Sequence, residues 1–111
     1  MQDYREFIDE VLVDEASLDR RVKELAARID QEYAGQELLV VCLLRGGLTF
    51  TADLTRALTV QHTLDCMSLS SYGVGHYASS GNVRVNLDLM TNIEGANVLL
   101  VEDIVDSGRT L

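Results

Sequence analysis

The sequence predicts an α/β fold built on a doubly wound, mainly parallel sheet. Two observations carry this prediction. Apolar runs too short for helices occur in ELLVVCLL (37–44) and NVLLVED (97–103), and unbroken hydrophobicity is typical of strands buried on both faces of a parallel sheet. The first run is followed by a turn at Gly46-Gly47, a helical pattern and a further strand pattern. That order is a βαβ unit, which connects parallel strands.

The first helix is predicted between Asp14 and Gly35. Asp14 has the side chain of a helix N-cap, Glu15 suits the positive end of the helix dipole, and Gly35 is a typical terminator. Apolar residues recur at helical spacing on one face, which we expect to be buried: Leu18, Val22, Leu25, Ala26, Ile29 and Tyr33.

The remaining elements follow in order along the chain. A second helix is predicted after Gly47, with Phe50, Leu54, Ala57 and Leu58 facing inward. Strands are predicted in HTLDCMSLS (62–70), NVRVNLDL (82–89) and NVLLVED (97–103). Residues 70–82 are rich in Gly, Ser and Asn, which predicts a flexible loop joining two antiparallel strands.

Composition excludes several classes of protein. Eighteen acidic residues stand against nine basic ones, for a net charge of -9, so nucleic acid is not expected as the main partner. No apolar run reaches the roughly 18 residues of a membrane span, and the polar N-terminus lacks the features of a signal peptide. We therefore expect no membrane partner and a cytoplasmic location. Cys42 and Cys66 each lie in an apolar run without metal-ligand spacing, which favours small buried hydrophobes.

The C-terminal stretch VEDIVDSGRTL (101–111) carries the chemistry. In open α/β sheets, ligands bind beyond the carboxyl ends of the strands. Glu102 and Asp103 follow an apolar strand and, as ionised carboxylates, suit a ligand that bears hydroxyl groups. The small residues that come next can present backbone N–H groups, hydroxyls and a positive charge to a phosphate: Ser107, Gly108, Arg109 and Thr110. The combination indicates a phosphorylated sugar.

VLLVEDIVDSGRTL (98–111) resembles the signature with which type I phosphoribosyltransferases bind 5-phosphoribosyl 1-diphosphate (PRPP). Other segments are similar to the hypoxanthine-guanine branch of that family. CLLRGG (42–47) resembles its pyrophosphate loop, SLSSYG (68–73) its lid, and VLVDEASLDRRVKELAARI (11–29) its first strand and helix. The resemblance covers residues 10–111.

The resemblance implies roles for individual residues. Glu102 and Asp103 would hold the ribose hydroxyls, and Asp106 would face the purine ring nitrogen as general base or hydrogen-bond partner. The 5′-phosphate would bind Ser107, Gly108, Arg109 and Thr110. Arg45, Gly46 and Gly47 would meet the pyrophosphate, with the Leu44–Arg45 peptide bond in cis. Ser71 and Tyr72 would close over the reacting centre. Mg²⁺ is the implied cofactor, approached by Glu102 and Asp103 through ribose hydroxyls or water.

The implied activity is purine salvage. The phosphoribosyl group of PRPP would pass to hypoxanthine or guanine, giving IMP or GMP and pyrophosphate, in a homo-oligomer when the protein is full length. Family members continue well beyond the equivalent of Leu111. We therefore expect residues 1–111 to be the N-terminal portion of a single domain that lacks C-terminal strands and the purine-binding hood, and to be inactive, poorly folded alone and open at the edge of 97–103.

Other functions fit parts of the pattern. A receiver-type signalling domain also has acids after an apolar strand, but its acidic pair ends the first strand. A non-catalytic PRPP-binding regulator would share the anion site, although it would normally need a basic nucleic-acid-binding surface. Within the enzyme class, the substrate could instead be xanthine or a pyrimidine.

Overall fold

A computed structural model describes residues 4–71 and 83–104 of the chain. Two α-helices and four strands follow a short 3-10 helix at Tyr4–Phe7. In chain order they are α1 (Glu15–Glu32), β1 (Leu38–Leu44), α2 (Leu48–Ala57), β2 (His62–Ser71), β3 (Val83–Leu87) and β4 (Asn97–Val101). The predicted elements at these positions are confirmed. In the described ranges, no helix combines the length and the apolar character needed to cross a membrane.

The four strands form one sheet in the order β3-β2-β1-β4. β1 pairs in parallel with β2 on one side and with β4 on the other, so that Cys42 lies opposite both Cys66 and Val101. β2 and β3 are antiparallel, with a register shift at Ser68/Leu69. The predicted mainly parallel sheet is therefore confirmed. Because the chain leaves β1 in one direction and returns as β4 on the opposite side, the strand order reverses at β1, as at a ligand-binding switch point.

Helix α1 begins as its sequence predicts. The Asp14 side chain accepts a hydrogen bond from the Ser17 backbone N–H at 2.7 Å, which satisfies an amide in the first turn. After the helix, Gly35 has a φ of +77°, a left-handed conformation that glycine adopts without steric cost. Leu18 was predicted to face inward, and this was wrong: it is 56% exposed and lines an open groove beside α2.

Both helices pack on one face of the sheet. Leu38 and Val40 of β1 form a single core with residues of the two helices and β4: Val22, Ala26, Ile29, Leu54, Leu58 and Val101. The inward-facing positions predicted for α2 are confirmed, with Phe50 and Ala57 partly buried at the margin of this core. Residues 38–43 are all buried, as the unbroken hydrophobicity of β1 predicts.

Strand β4 departs from the pattern of a doubly buried strand. Val98 and Leu100 are 39% and 43% exposed, although their sequence is as apolar as that of β1. The cause is position, since β4 is the last strand of the described sheet and its outer edge is unpaired there. The expected open edge is confirmed.

The segment before α1 also departs from the expectation. The resemblance places a strand at residues 11–13, but the structure shows none there. Val11, Leu12 and Val13 are instead 63%, 84% and 65% exposed. A strand requires a neighbour for its backbone hydrogen bonds, and in the described residues nothing pairs with this segment.

Two aspartates fix connections that cross the fold. One carboxylate oxygen of Asp30, on α1, accepts hydrogen bonds from the backbone N–H groups of Thr59 and Val60, both at 2.9 Å. Asp65, on β2, likewise accepts from the N–H groups of Met90 and Thr91 at 3.0 and 2.9 Å. The first aspartate fastens the link between α2 and β2, and the second fastens the crossover from β3 to β4.

We predict that Asp65→Asn loosens the crossover and lowers stability. The hydrogen bond from the Cys66 backbone N–H, followed by those from Thr91 and Met90, lowers the pKa of Asp65 below its ordinary 3.8. A lowered carboxyl pKa stabilises the folded state above the ordinary value, and this contribution is lost as the pH falls through the folded-state pKa. The urea midpoint of the variant should therefore lie below that of the parent at pH 7, with a gap that narrows under acid.

Asp88→Asn is the matched control. Asp88 is exposed, and among the described residues its side chain accepts only from the N–H of the next residue, Leu89. It should leave the midpoint nearly unchanged. Equal midpoints for Asp65→Asn and Asp88→Asn at pH 7 would contradict the assigned role of Asp65.

Candidate functional site

The carboxyl ends of β1 and β4 lie side by side at one edge of the sheet. The two strands are parallel, and Val101, the last residue of β4, is opposite Cys42. Continuing that register past the paired residues brings Glu102 and Asp103 alongside Leu43 and Leu44. The two loops that leave these strands therefore start from neighbouring points.

The loop after β1 is held in a defined shape. The Leu44–Arg45 peptide bond is cis, as the resemblance implies. The Gly47 N–H donates to the Leu43 carbonyl at 3.0 Å, and the Gly47 carbonyl accepts from both the backbone N–H and the hydroxyl of Thr51, at 2.9 and 2.6 Å. Thr51 is only 2% exposed. The start of α2 thus anchors the turn that presents Arg45 and Gly46 to solvent.

The acidic pair packs directly against this turn. A Cβ atom added to Gly46 would lie 2.6 Å from Oδ2 and 2.8 Å from Cγ of Asp103. A Cβ added to Gly47 would lie 2.8 Å from the Leu43 carbonyl oxygen and 2.9 Å from that of Val101. Both positions require glycine. A larger residue at 46 would collide with the Asp103 side chain, and one at 47 would collide with the backbone of β1 and β4.

Glu102 and Asp103 give the site an excess of negative charge. Burial, the hydrogen bond to Asp103 and the negative charge of Asp103 raise the pKa of Glu102 above its ordinary value. Asp103 accepts a hydrogen bond from the Ile104 N–H at 2.8 Å. In the ranges 6–70 and 84–104, the ion pairs all lie on the surfaces of α1 and α2 and none involves Glu102, Asp103 or Arg45. The pair is therefore suited to hydroxyl donors or a cation.

The donor set bears on whether a metal ion fits. No group of three or more possible metal-ligating side chains occurs in the part of the chain that the structure describes. Mg²⁺ takes six oxygen ligands and often binds through one or two carboxylates together with substrate phosphates and water. Glu102 and Asp103 fit that arrangement, in which most ligands come from the bound substrate or water.

Strand β2 extends the site edge on the other side of β1. Leu44 is opposite Ser68, and β2 continues three residues further to Ser71, which pairs with Val83 of β3. The antiparallel pair β2–β3 therefore extends beyond the last residue of β1. Its last described position on this strand, Ser71, stands at the same edge as the two loops.

The structure brings together five of the residues predicted for the site: Arg45, Gly46, Gly47, Glu102 and Asp103. Ser71 is placed at the same edge by its backbone. The other predicted residues lie outside those the structure describes, namely Tyr72, Asp106, Ser107, Gly108, Arg109 and Thr110. The flexible loop was predicted at 70–82. Its first two residues end β2, and 72–82 lie outside the described residues. Sequence reasoning missed Thr51, whose only signal is a hydroxyl four residues after Gly47 in a helical pattern.

Comparisons with known proteins agree with this geometry. Residues 10–111 match the phosphoribosyl transferase domain family. The chain is 44% identical over 103 residues to the hypoxanthine phosphoribosyltransferase of Buchnera aphidicola, covering 91% of this chain and 58% of the relative. It is 43% identical over 104 residues to the hypoxanthine phosphoribosyltransferase of Escherichia coli, with coverage of 92% and 58%.

Solved structures show the same relationship. The crystal structure of a Staphylococcus aureus hypoxanthine phosphoribosyltransferase superposes with a TM-score of 0.89 at 34% identity, covering 99% of this chain and 60% of that one. A hypoxanthine-guanine phosphoribosyltransferase from Bacillus anthracis gives a TM-score of 0.84 at 42% identity, with coverage of 93% and 60%. The chain thus spans under two thirds of the length of these relatives. The chain, with its mainly parallel sheet, its cis peptide and its acidic pair against a Gly-Gly turn, matches the family model over residues 10–111 and therefore belongs to the phosphoribosyltransferase family.

Proposed function

We propose that the protein transfers the phosphoribosyl group of PRPP to hypoxanthine or guanine, producing IMP or GMP and pyrophosphate. The observation that carries this proposal is the packing of the Asp103 carboxylate against Gly46. This contact joins a loop suited to anions and a carboxylate pair suited to hydroxyls within a few ångströms. PRPP has both chemistries on adjacent atoms of one molecule, because its pyrophosphate is attached beside the ribose diol.

The described residues act by binding and orienting the donor. Glu102 and Asp103 accept hydrogen bonds from the ribose hydroxyls, which fixes the sugar relative to the sheet. Arg45 and the backbone of the Gly46-Gly47 turn contact the pyrophosphate. Arg45 offers a planar fork of N–H donors that can hold two phosphate oxygens at once, whereas many family members have a lysine there. Positioning the leaving group and the sugar together lowers the entropy cost of reaching the transition state.

The remaining direct contacts fall on residues that, apart from Ser71, lie outside the described ranges. Asp106 takes a proton from the purine ring nitrogen that attacks the anomeric carbon, or orients that nitrogen by a hydrogen bond. Ser107, Gly108, Arg109 and Thr110 hold the 5′-phosphate. Ser71 and Tyr72 cover the reacting centre and exclude water, which would otherwise capture the oxocarbenium-like sugar. Glu102 and Asp103 would hold Mg²⁺ through ribose hydroxyls or water, and the ion would supply positive charge that offsets part of the pyrophosphate charge.

We also propose how the domain is completed, where the protein acts and which molecules it binds. Residues 1–111 form the N-terminal portion of a single domain, whose further strands and purine-binding segment come from chain beyond Leu111. The substrates and products are PRPP, a purine base, pyrophosphate and the nucleotide. The full-length protein acts in the cytoplasm as a homo-oligomer, without nucleic-acid or membrane partners. Its net charge of -9 supports the lack of a nucleic-acid partner.

The direct test is a chimera in which this chain is joined to the C-terminal part of the Escherichia coli relative that lies beyond the matched region. IMP formation from PRPP and hypoxanthine is followed by absorbance, with guanine, xanthine and uracil in parallel. Turnover with hypoxanthine or guanine is the expected result. PRPP binding without turnover on any base would favour a regulatory PRPP-binding protein, and turnover only with xanthine or uracil would reassign the substrate.

Within this chimera, we predict that Asp106→Asn slows the chemical step by about 10²- to 10⁴-fold, the usual contribution of a general base. The apparent affinity for PRPP should change little, because Asp106 faces the purine and not the sugar phosphate. Steady-state kcat and KM for PRPP report the two effects separately. Asp88→Asn serves as the control and should leave both constants unchanged. An unaltered kcat in Asp106→Asn would remove the role assigned to that residue.

The two glycines should respond differently to alanine. Gly47→Ala drives a methyl group into carbonyl oxygens of two strands, so we expect a loss of about 1–3 kcal/mol in the free energy of unfolding. Gly46→Ala meets the end of an exposed side chain, which can move. It should preserve stability but displace Asp103 and weaken PRPP binding by roughly 10- to 100-fold, the value of a hydrogen bond to a charged group.

Calorimetric titration of the chimera with PRPP and Mg²⁺ measures the loss of PRPP affinity in Gly46→Ala. Urea unfolding measures the loss of stability in Gly47→Ala. The double variant Gly46→Ala/Asp103→Ala should bind no more weakly than Asp103→Ala alone, since the glycine acts through that carboxylate. Additive losses would show that Gly46 contributes in some other way.

A further inference from the structure

The two cysteines of the chain are neighbours across the sheet. Cys42 of β1 and Cys66 of β2 are separated by 24 positions in sequence but lie directly opposite each other in the parallel ladder. Residues opposite each other in such a ladder point to the same face. That face is the one covered by the helices, because Leu38 and Val40, which share the alternation of Cys42, belong to the core with α1 and α2.

The two thiols differ in accessibility. Cys42 is fully buried beneath the helices, whereas Cys66 is partly exposed because α2 packs over β1. Burial raises the pKa of Cys66, and Cys42 and Asp65 add to that rise.

The distance between the strands permits a covalent bond. Neighbouring strands run about 4.7–4.9 Å apart, and the Cα atoms of disulfide-bonded cysteines usually lie about 4.4–6.8 Å apart. The Cα spacing falls at the short end of that range. The Cα–Cβ bonds of opposite residues in a parallel ladder run side by side, so the Cβ atoms also lie about 4.7–4.9 Å apart, beyond the usual 3.5–4.5 Å of a disulfide. Closing the bond must therefore strain the rigid ladder. A bond formed there has little freedom to relax, and disulfides of this kind are the more easily reduced ones.

We propose that Cys42 and Cys66 form a reversible disulfide modification site, oxidised by small-molecule disulfides such as glutathione disulfide. The exposed thiol reacts first. The Cys66 thiolate attacks glutathione disulfide, giving a Cys66–glutathione mixed disulfide and one reduced glutathione. The Cys42 thiolate then attacks the Cys66 sulfur and releases the second glutathione. Two protein thiols are oxidised by two electrons in total, one glutathione disulfide is reduced to two thiols, and the two protons leave with the products.

The location connects this site to the loops at the sheet edge. Cys66, Cys42 and Val101 form one row across three strands. Val101 directly precedes the acidic pair, and Cys42 lies three positions before Arg45. A covalent link in this row therefore ties β2 to the strand whose end carries the Gly-Gly turn. The inference stands on the register of the strands and does not require the proposed enzymatic activity.

The test uses the 111-residue chain, whose two cysteines are the only ones it contains, in a buffer in which a cooperative urea transition shows that it is folded. The chain is incubated with glutathione disulfide, either in buffer or in concentrated urea, then quenched with N-ethylmaleimide and analysed by intact and peptide mass spectrometry. The expected product in buffer is a monomer that has lost two hydrogen atoms, with the Cys42 and Cys66 peptides linked. It should form at least about tenfold faster than in urea, because folding holds the two sulfurs together.

Single variants separate the two steps. In Cys42→Ser, Cys66 should accumulate the mixed disulfide with glutathione, since no second thiol resolves it. In Cys66→Ser, buried Cys42 should stay free in buffer and become modified only in urea. Far-UV circular dichroism confirms that each variant keeps its secondary structure.

Three outcomes would overturn the proposal, and none depends on a variant. The mixed disulfide could persist on Cys66 of the parent chain, the linked product could form as slowly in buffer as in urea, or the linkage could join two chains, as judged by non-reducing electrophoresis. Each would show that the folded chain does not hold the two sulfurs in a reactive pair.

Discussion

The parallel pairing of β1 with β4 is the constraint on which the site depends. Glu102 and Asp103 have no sequence neighbour among the residues of the Gly-Gly turn, which lie more than fifty positions earlier. They meet because two strands run in the same direction and end at the same edge, with Val101 opposite Cys42. A shift of one residue in that register would turn the side chains of β4 to the opposite face. Val101 would then leave the core, and Asp103 would no longer lie against Gly46.

Several elements supply this pairing with a rigid frame. The burial of β1 on both faces fixes it at the centre of the sheet, and Thr51 ties the turn after β1 to the first turn of α2. Asp30 and Asp65 play equivalent parts on opposite faces of the sheet. In each case one carboxylate accepts hydrogen bonds from two consecutive backbone amides. Those bound by Asp30 lie between α2 and β2, and those bound by Asp65 lie between β3 and β4. Some acidic residues of this chain therefore stabilise the fold, and others form the candidate site.

The sequence predicts well whatever depends on neighbours along the chain. The cap at Asp14, the buried run of β1 and the acidic motif after β4 are all local signals. The structure bears out the first two and places Glu102 and Asp103 directly after β4. Contacts between distant segments were not predictable, because nothing local encodes a register. The opposition of Cys42 and Cys66, the hold of Asp65 on the crossover and the contact between Gly46 and Asp103 belong to this class. Burial of β4 was misjudged for the same reason, since an apolar sequence does not reveal whether a strand has a neighbour.

The edge of β4 that is unpaired in the described part of the sheet has a consequence for self-association of residues 1–111 when no further strand covers it. An apolar strand with unpaired N–H and C=O groups is a template for stacking copies of itself, and in-register stacks repeat every 4.7–4.8 Å. In such a stack each Glu102 and Asp103 would lie next to its own copies, placing columns of like charge along the fibril. The carboxylates suited to a sugar would thus also oppose stacking at the end of this edge strand, as gatekeeper charges do. Protonation or a divalent cation would weaken this electrostatic protection.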